Sequence, residues 1–232
     1  YFLAWTTTPW TLASNIALTV GPDIDYVKVK MTSGDNEGNI FYLAKGLAAK
    51  VLGKDEYEVL EELKGRDMEY WEYEQLMPFC TPEKGKNAFI VTCMDYVSTE
   101  DGTGIVHIAP TFGADDDRVA KVAGITPLQL IDKEGSKQPM VDKRGRLFRI
   151  EDIDPEYLKN NVNTDLYGEF AGRFVKNAYD PTLTENDPTL DIDLSILLKR
   201  ENKAFKVEKH EHNYPHCWRT DKPVLYYPLD SW

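Results

Sequence analysis

Between Tyr26 and Met31 the chain alternates without a break, with Val27, Val29 and Met31 on one side and Tyr26, Lys28 and Lys30 on the other. A period of two predicts a half-buried antiparallel strand. Gly, Asn and Asp crowd residues 32–39, and Ile40 to Leu43 returns as a second apolar run, so the pair predicts a β-hairpin.

The same reading finds more short strands than helices. An apolar strand opens the chain and runs into Thr6, Thr7 and Thr8, closed by Pro9; Ile16 to Val20 is the next, turned by Gly21-Pro22. Tyr57 to Leu63, Met68 to Leu76 and Asn87 to Asp95 also read as strands, and Phe205 and Val207, alternating with Lys206 and Glu208, as a late one. Helices fit Lys45 to Leu52, stopped by Gly53; a stretch capped by Asp154-Pro155 and ending at Val162; and Leu190 to Glu201, where Ile192 and Ile196 share a face. Lys133 to Arg149 is basic, broken by Gly135, Pro139 and Gly145, and reads as loops: either a solvated face or a contact to RNA phosphates. The pattern is mainly β, a β-barrel or mixed β domain with helices inserted between strands.

Composition narrows the classes. At 232 residues, one large domain with a real core is expected, and two are possible. No apolar run reaches membrane-spanning length, and no charged-then-apolar leader opens the chain. The abrupt start at Tyr1 and end at Trp232 suggest a piece of a longer polypeptide. Cys80, Cys93 and Cys217 form no Cys-x-x-Cys and point to a reducing compartment. A net charge of −12 disfavours generic nucleic-acid binding by a basic face, while leaving room to grip one end of an RNA. His210, His212, His216 and Cys217 crowd one region without helical or knuckle spacing, so no metal site is expected there.

The stretch Gly102 to Asp117 concentrates the chemistry. Ile105 to Ala109 is a strand with Ile105, His107 and Ala109 on one face; Pro110 and Gly113 turn the backbone; Asp115, Asp116 and Asp117 then open a helix. One acid suffices for an N-cap, and three adjacent carboxylates repel, so one of them is surplus to capping. A strand-end His and a surplus carboxylate one turn apart suit a small polar ligand, a cation included. His107 also fits a satisfied core histidine. The Thr6–Thr8 run likewise fits ordinary β-branched strand residues or a row of hydroxyls held rigid by Pro9 and Trp10.

Two segments together resemble one family. Ala4-Trp-Thr-Thr-Thr-Pro-Trp-Thr-Leu and Gly102-Thr-Gly-Ile-Val-His-Ile-Ala-Pro-Thr-Phe-Gly are similar to the editing (CP1) insertion of class I isoleucyl-tRNA synthetases of the eukaryotic cytosolic type. Tyr214-Pro-His-Cys-Trp-Arg resembles the place where that insertion rejoins the synthetase. Leucyl and valyl relatives typically read Thr-Thr-Arg-Pro-Glu-Thr where this chain has Thr6-Thr7-Thr8-Pro9-Trp10-Thr11.

The resemblance implies a closed β-barrel with peripheral α-helices, one editing domain over residues 1–232. It implies hydrolysis of valyl-tRNA(Ile) and valyl-adenylate. Partners are then the tRNA(Ile) 3′ end and the rest of the synthetase chain, with no membrane, a cytoplasmic location and a monomeric isolated domain. No cofactor is implied here; ATP and Mg²⁺ belong to the parent synthetase. By motif, Asp116 anchors the substrate amino group, His107 lines the side-chain pocket, and Thr6, Thr7 and Thr8 meet the ester end, Thr7 positioning water. Trp5, Trp10, Asn15 and Ala109 flank the substrate. Ala13 stands where many relatives have Pro, and Thr220 where some have a second Cys, so a zinc site of that type is incomplete. With no Gly-x-Ser-x-Gly and no cysteine in a nucleophile's context, a positioned water is the expected attacker.

Overall fold

The computed structural model describes residues 1–184, 186–208 and 214–228. The chain divides into two compact units, one of Tyr1–Thr7, Ile16–Glu74 and Asn87–Ile108, the other of Thr8–Asn15, Gln75–Lys86 and Ala109–Trp232.

The first unit holds strands β1 (Ala17–Val20), β2 (Asp25–Met31) and β3 (Ile40–Ala44), helix α1 (Ala48–Leu52), then β4 (Tyr57–Lys64), β5 (Ile90–Cys93) and β6 (Ile105–Ile108). The expected hairpin is β2–β3, antiparallel with Tyr26 opposite Ala44 and Lys30 opposite Ile40, and β4 pairs on the other side of β2. The second sheet has the order β5-β1-β6, parallel between β1 and β5 and antiparallel between β1 and β6. Val27, Val29 and Met31 are buried as the alternation demands, and so is Tyr26, which the sequence pattern grouped with two lysines. Its ring lies in a cluster with Leu18, Val20, Ala44, Met68 and Ile105, so this end of β2 is covered on both faces.

Several expected strands are absent, each for a local reason. The first residues make single bridges only, Phe2 to Tyr42 and Trp5 to Val106, touching the edges of β3 and β6 in turn. Residues 68–76 are not a strand, because a 3₁₀ turn ends at Met68 and Tyr70 takes a left-handed φ of 65°; one bridge survives, Glu72 to Ile90. Lys45–Leu47 is a 3₁₀ turn that tightens before α1, which does stop at Gly53 with φ 71°. The strands of this unit are grouped in two three-stranded sheets, and the single bridges of Phe2 and Trp5 run one segment past both, along β3 and then β6.

The second unit carries α2 (Ala114–Ala123), the short hairpin β7 (Gln129–Ile131) and β8 (Lys137–Pro139), α3 (Pro155–Asn161), α4 (Thr164–Tyr167) and α5 (Leu190–Arg200). Asp154 caps α3 as expected, its side chain accepting the Tyr157 N–H at 2.8 Å. Part of the 133–149 stretch, read as loops, is β8, and its Arg146 and Arg149 are tied to Asp142 and Asp152. Phe79 packs with Tyr167 and Phe170 at 5.5 and 5.7 Å, and the Tyr167 hydroxyl donates to the Phe148 carbonyl at 2.6 Å. Helix α5 buries Leu190, Leu194, Leu197 and Leu198, which leaves the shared Ile192–Ile196 face exposed. Residues 205–207 form no strand; Lys206 and Glu208 pair with each other at 2.6 Å on an exposed segment. Among the described residues no helix is long and apolar enough to cross a membrane.

Candidate active site

In the first unit the site residues gather along β6. Its antiparallel pairing sets His107 opposite Leu18 of β1, while Trp5 bridges Val106 on the free edge in parallel register. Because that bridge is parallel, Thr6 leaves Trp5 in the direction in which β6 runs on to His107, and the chain bends at Thr7. Gly102 makes room for Trp5, since a Cβ there would lie 3.2 Å from the indole. Thr6, Thr7 and His107 are all half-buried. Burial pushes the imidazole of His107 down to about 4, so it is neutral at physiological pH. A neutral ring at a strand end offers a wall and one N–H or lone pair, not a charge.

In the second unit Thr8 closes a turn. It precedes the 3₁₀ helix Pro9–Ser14, its carbonyl accepting the Thr11 hydroxyl at 2.8 Å and the Thr11 N–H at 3.0 Å. Pro9 suits this first helical position, because its fixed φ and missing N–H cost nothing there. Trp10 is buried edge-on to Phe112, ring centroids 5.1 Å apart, and its backbone N–H donates to Asp191 at 2.8 Å. Asn15, also buried, terminates the turn. A second 3₁₀ turn, Pro110–Phe112, starts from Ala109 and leads into α2.

The three acids at the start of α2 separate cleanly. Asp115 pairs with Arg118 at 3.3 Å and Asp117 with Lys121 at 2.6 Å, on the outer side of the helix. Asp116 turns inward instead, and its Oδ2 accepts the Ala109 N–H at 2.8 Å. Gly113 permits this, since a Cβ there would meet the Asp116 carboxyl at 3.0 Å. None of the three is the N-cap; that residue is Gly113, and no side chain caps the helix. Burial raises the Asp116 carboxyl, the Ala109 N–H lowers it, and Asp115 raises it further. A half-buried carboxylate with one oxygen committed to backbone is suited to hold a cation that comes with its own hydrogen-bond donors, such as an ammonium.

Sequence reading missed three members of this neighbourhood. Asp191 stands 181 positions from the Trp10 N–H it accepts, and no local pattern announces that. Ser14 and Thr111 are buried, and among the described residues their hydroxyls have no hydrogen-bond partner, nor has the Trp10 indole N–H. Unpaired buried polar groups cost stability and are concentrated at working sites. Burial raises the thiols of Cys80 to about 12 and Cys93 to about 11, which removes them as nucleophiles. Among the described residues no three His, Cys, Asp or Glu side chains are placed to hold a metal; His210 and His212 lie outside those residues.

The fold has a counterpart in the crystal structure of GlLeuRS-CP1, which covers 91% of this chain and 85% of its own length at a TM-score of 0.51 and 17% identity. The class is therefore mainly β with peripheral helices, shared with a CP1 domain. The sequence is more particular. Across its full length the chain is 55% identical to the isoleucine–tRNA ligase of Bacteroides fragilis, 51% to that of Porphyromonas gingivalis and 40% to that of Clostridium novyi. It is homologous to one segment of these ligases, spanning 22%, 22% and 18% of their respective lengths. These relatives are bacterial, so the expected eukaryotic cytosolic type is not supported. No family model matches the chain.

Proposed function

We propose that this chain is the editing segment of an isoleucyl-tRNA synthetase, an aminoacyl-ester hydrolase that frees valine from valyl-tRNA(Ile) and from valyl-adenylate. The observation that carries the reading is the inward-turned Asp116, the one acid of three that takes neither neighbouring cation. Its position in the motif matches the family's amino-group anchor.

The chemistry follows from the ester. A hydrophobic synthesis pocket discriminates one methylene by only about 10–200-fold, so a second, hydrolytic sieve is needed. That sieve must exclude isoleucine by overlap, and overpacking a rigid site costs about 1–3 kcal/mol. Asp116 holds the ammonium. His107, neutral and part of a paired strand, limits the length of the side chain. Thr6, Thr7 and Thr8 meet the ester end, with Thr7 and a ribose hydroxyl of the substrate orienting the water. Trp5, Trp10, Asn15 and Ala109 border the substrate. An aminoacyl ester is already activated, so positioning and hydrogen-bond donors supply the rate.

In this reading residues 1–232 act as one editing domain, monomeric when isolated, its bridged sheets completing a barrel in the working protein. The tRNA(Ile) 3′ end and the rest of the synthetase are its partners and the cytoplasm its location. It needs no cofactor of its own, while ATP and Mg²⁺ serve synthesis elsewhere in the parent enzyme. The test is release of valine from valyl-tRNA(Ile), measured with the full-length protein and with the chain alone. Release by the full-length protein that Asp116→Asn abolishes is expected; equal release by the parent protein and Asp116→Asn would overturn the assignment.

A further inference from the structure

Tyr26 does something no motif assigns. Its hydroxyl accepts the Gly21 N–H at 3.0 Å and donates to the Gly104 carbonyl at 2.6 Å, and the residue is fully buried. Gly104 directly precedes β6, and His107 is three residues further on. The hairpin grips this turn a second time, because the Ala44 N–H donates to the Thr103 carbonyl at 2.9 Å. Ala44 is the residue opposite Tyr26 in the β2–β3 ladder. Gly104 has φ +75°, and a Cβ on it would lie 2.5 Å from the Ala44 Cβ, so the turn is also pressed closely against the hairpin. Two successive carbonyls at the start of β6 are thus held by one pair of cross-strand residues.

We infer that Tyr26 is a positioning residue that sets, through Gly104 and the register of β6, where the His107 imidazole stands and hence which side chain the pocket rejects. The inference rests on the proposed editing reading. β6 is only four residues long, and its sheet pairing is to β1. So short a ladder resists sliding weakly, and a fixed point just ahead of it controls the whole strand. A sieve that separates side chains by one methylene depends on displacements well under 1 Å, and misplacement on that scale costs rate by large factors. Burial raises the phenol to about 12, so both hydrogen bonds persist over the working pH range. Phenylalanine would fill the same space and leave the Gly21 N–H and Gly104 carbonyl without this partner.

The readout is the ratio of hydrolysis rates on valyl- and isoleucyl-tRNA(Ile), measured with full-length protein. Loss of folded fraction scales both rates equally and leaves the ratio alone. Tyr26→Phe is expected to lower the ratio about tenfold, with the melting temperature reduced. A folded Tyr26→Phe with the parent ratio, while His107→Ala collapses it, overturns the positioning role and spares the editing reading. A parent ratio in His107→Ala itself overturns both. Should Tyr26→Phe fail to fold, Thr103→Val loosens the same turn by removing the hydroxyl that lies 3.4 Å from the Ile105 N–H. A lowered ratio there supports the inference, and an unchanged one overturns it.

Discussion

Asp116 reaches back seven residues to take the Ala109 N–H at 2.8 Å, so the carboxylate spans the turn between a strand and a helix instead of capping the helix. In the proposed reading Asp116 has two duties, one to the backbone and one to the substrate ammonium, and asparagine separates them. In Asp116→Asn the amide oxygen still accepts from Ala109. The buried negative charge is gone. Because the folded protein holds this carboxyl above its ordinary value, ionisation at neutral pH opposes folding. The melting temperature of Asp116→Asn is expected not to fall, while deacylation drops by at least about 100-fold. Asp115→Ala and Asp117→Ala lose only exposed ion pairs, worth about 0–1 kcal/mol, and should keep their activity. Thermal unfolding alongside valyl-tRNA deacylation checks all three.

His107→Ala addresses the sieve. Removing the imidazole opens more space than one methyl group needs, so isoleucyl-tRNA(Ile) should become a substrate. A ring that also orients the ester lowers the valyl rate as well. The rate ratio on the two esters is expected to approach one. A general base would lower both rates and hold the ratio.

The same histidine gives a pH signature. Its folded value of about 4 lies below the ordinary 6.5. Between these values the unfolded chain binds a proton that the folded chain does not, so stability rises with pH across that window and is lost as pH falls through it. The full effect is up to about 3 kcal/mol. Denaturant titrations from pH 4 to 7 should show this slope, and His107→Gln should flatten it.

Asp191 ties α5 to the turn after the threonines, accepting the Trp10 N–H at 2.8 Å with Lys176 at 3.6 Å from its other oxygen. Asp191→Ala leaves a backbone donor unsatisfied. A loss of about 1–3 kcal/mol is expected by chemical denaturation.

Local chemistry made part of this protein legible in its sequence. The β2–β3 hairpin follows from alternation around a Gly/Asn/Asp turn, and the α3 cap from one side chain bonding a backbone N–H three residues away. Such signals involve neighbours in the chain, and they hold wherever the segment sits.

What tertiary structure alone decided is which of equivalent residues does what. Three adjacent aspartates look alike to local chemistry; the motif points to Asp116, and the tertiary structure supplies the physical difference, the backbone N–H of Ala109 and the space left by Gly113. Tyr26 sits in the alternation among lysines, yet a second sheet covers it and gives its hydroxyl two partners, one of them 78 residues away. The run from Met68 to Leu76 had strand composition, but Tyr70 at positive φ breaks its extension. In α5 the isoleucines and leucines are equally apolar, and packing chose the leucines. In each case the deciding energy is burial or a hydrogen bond supplied by a distant segment, which no local pattern encodes.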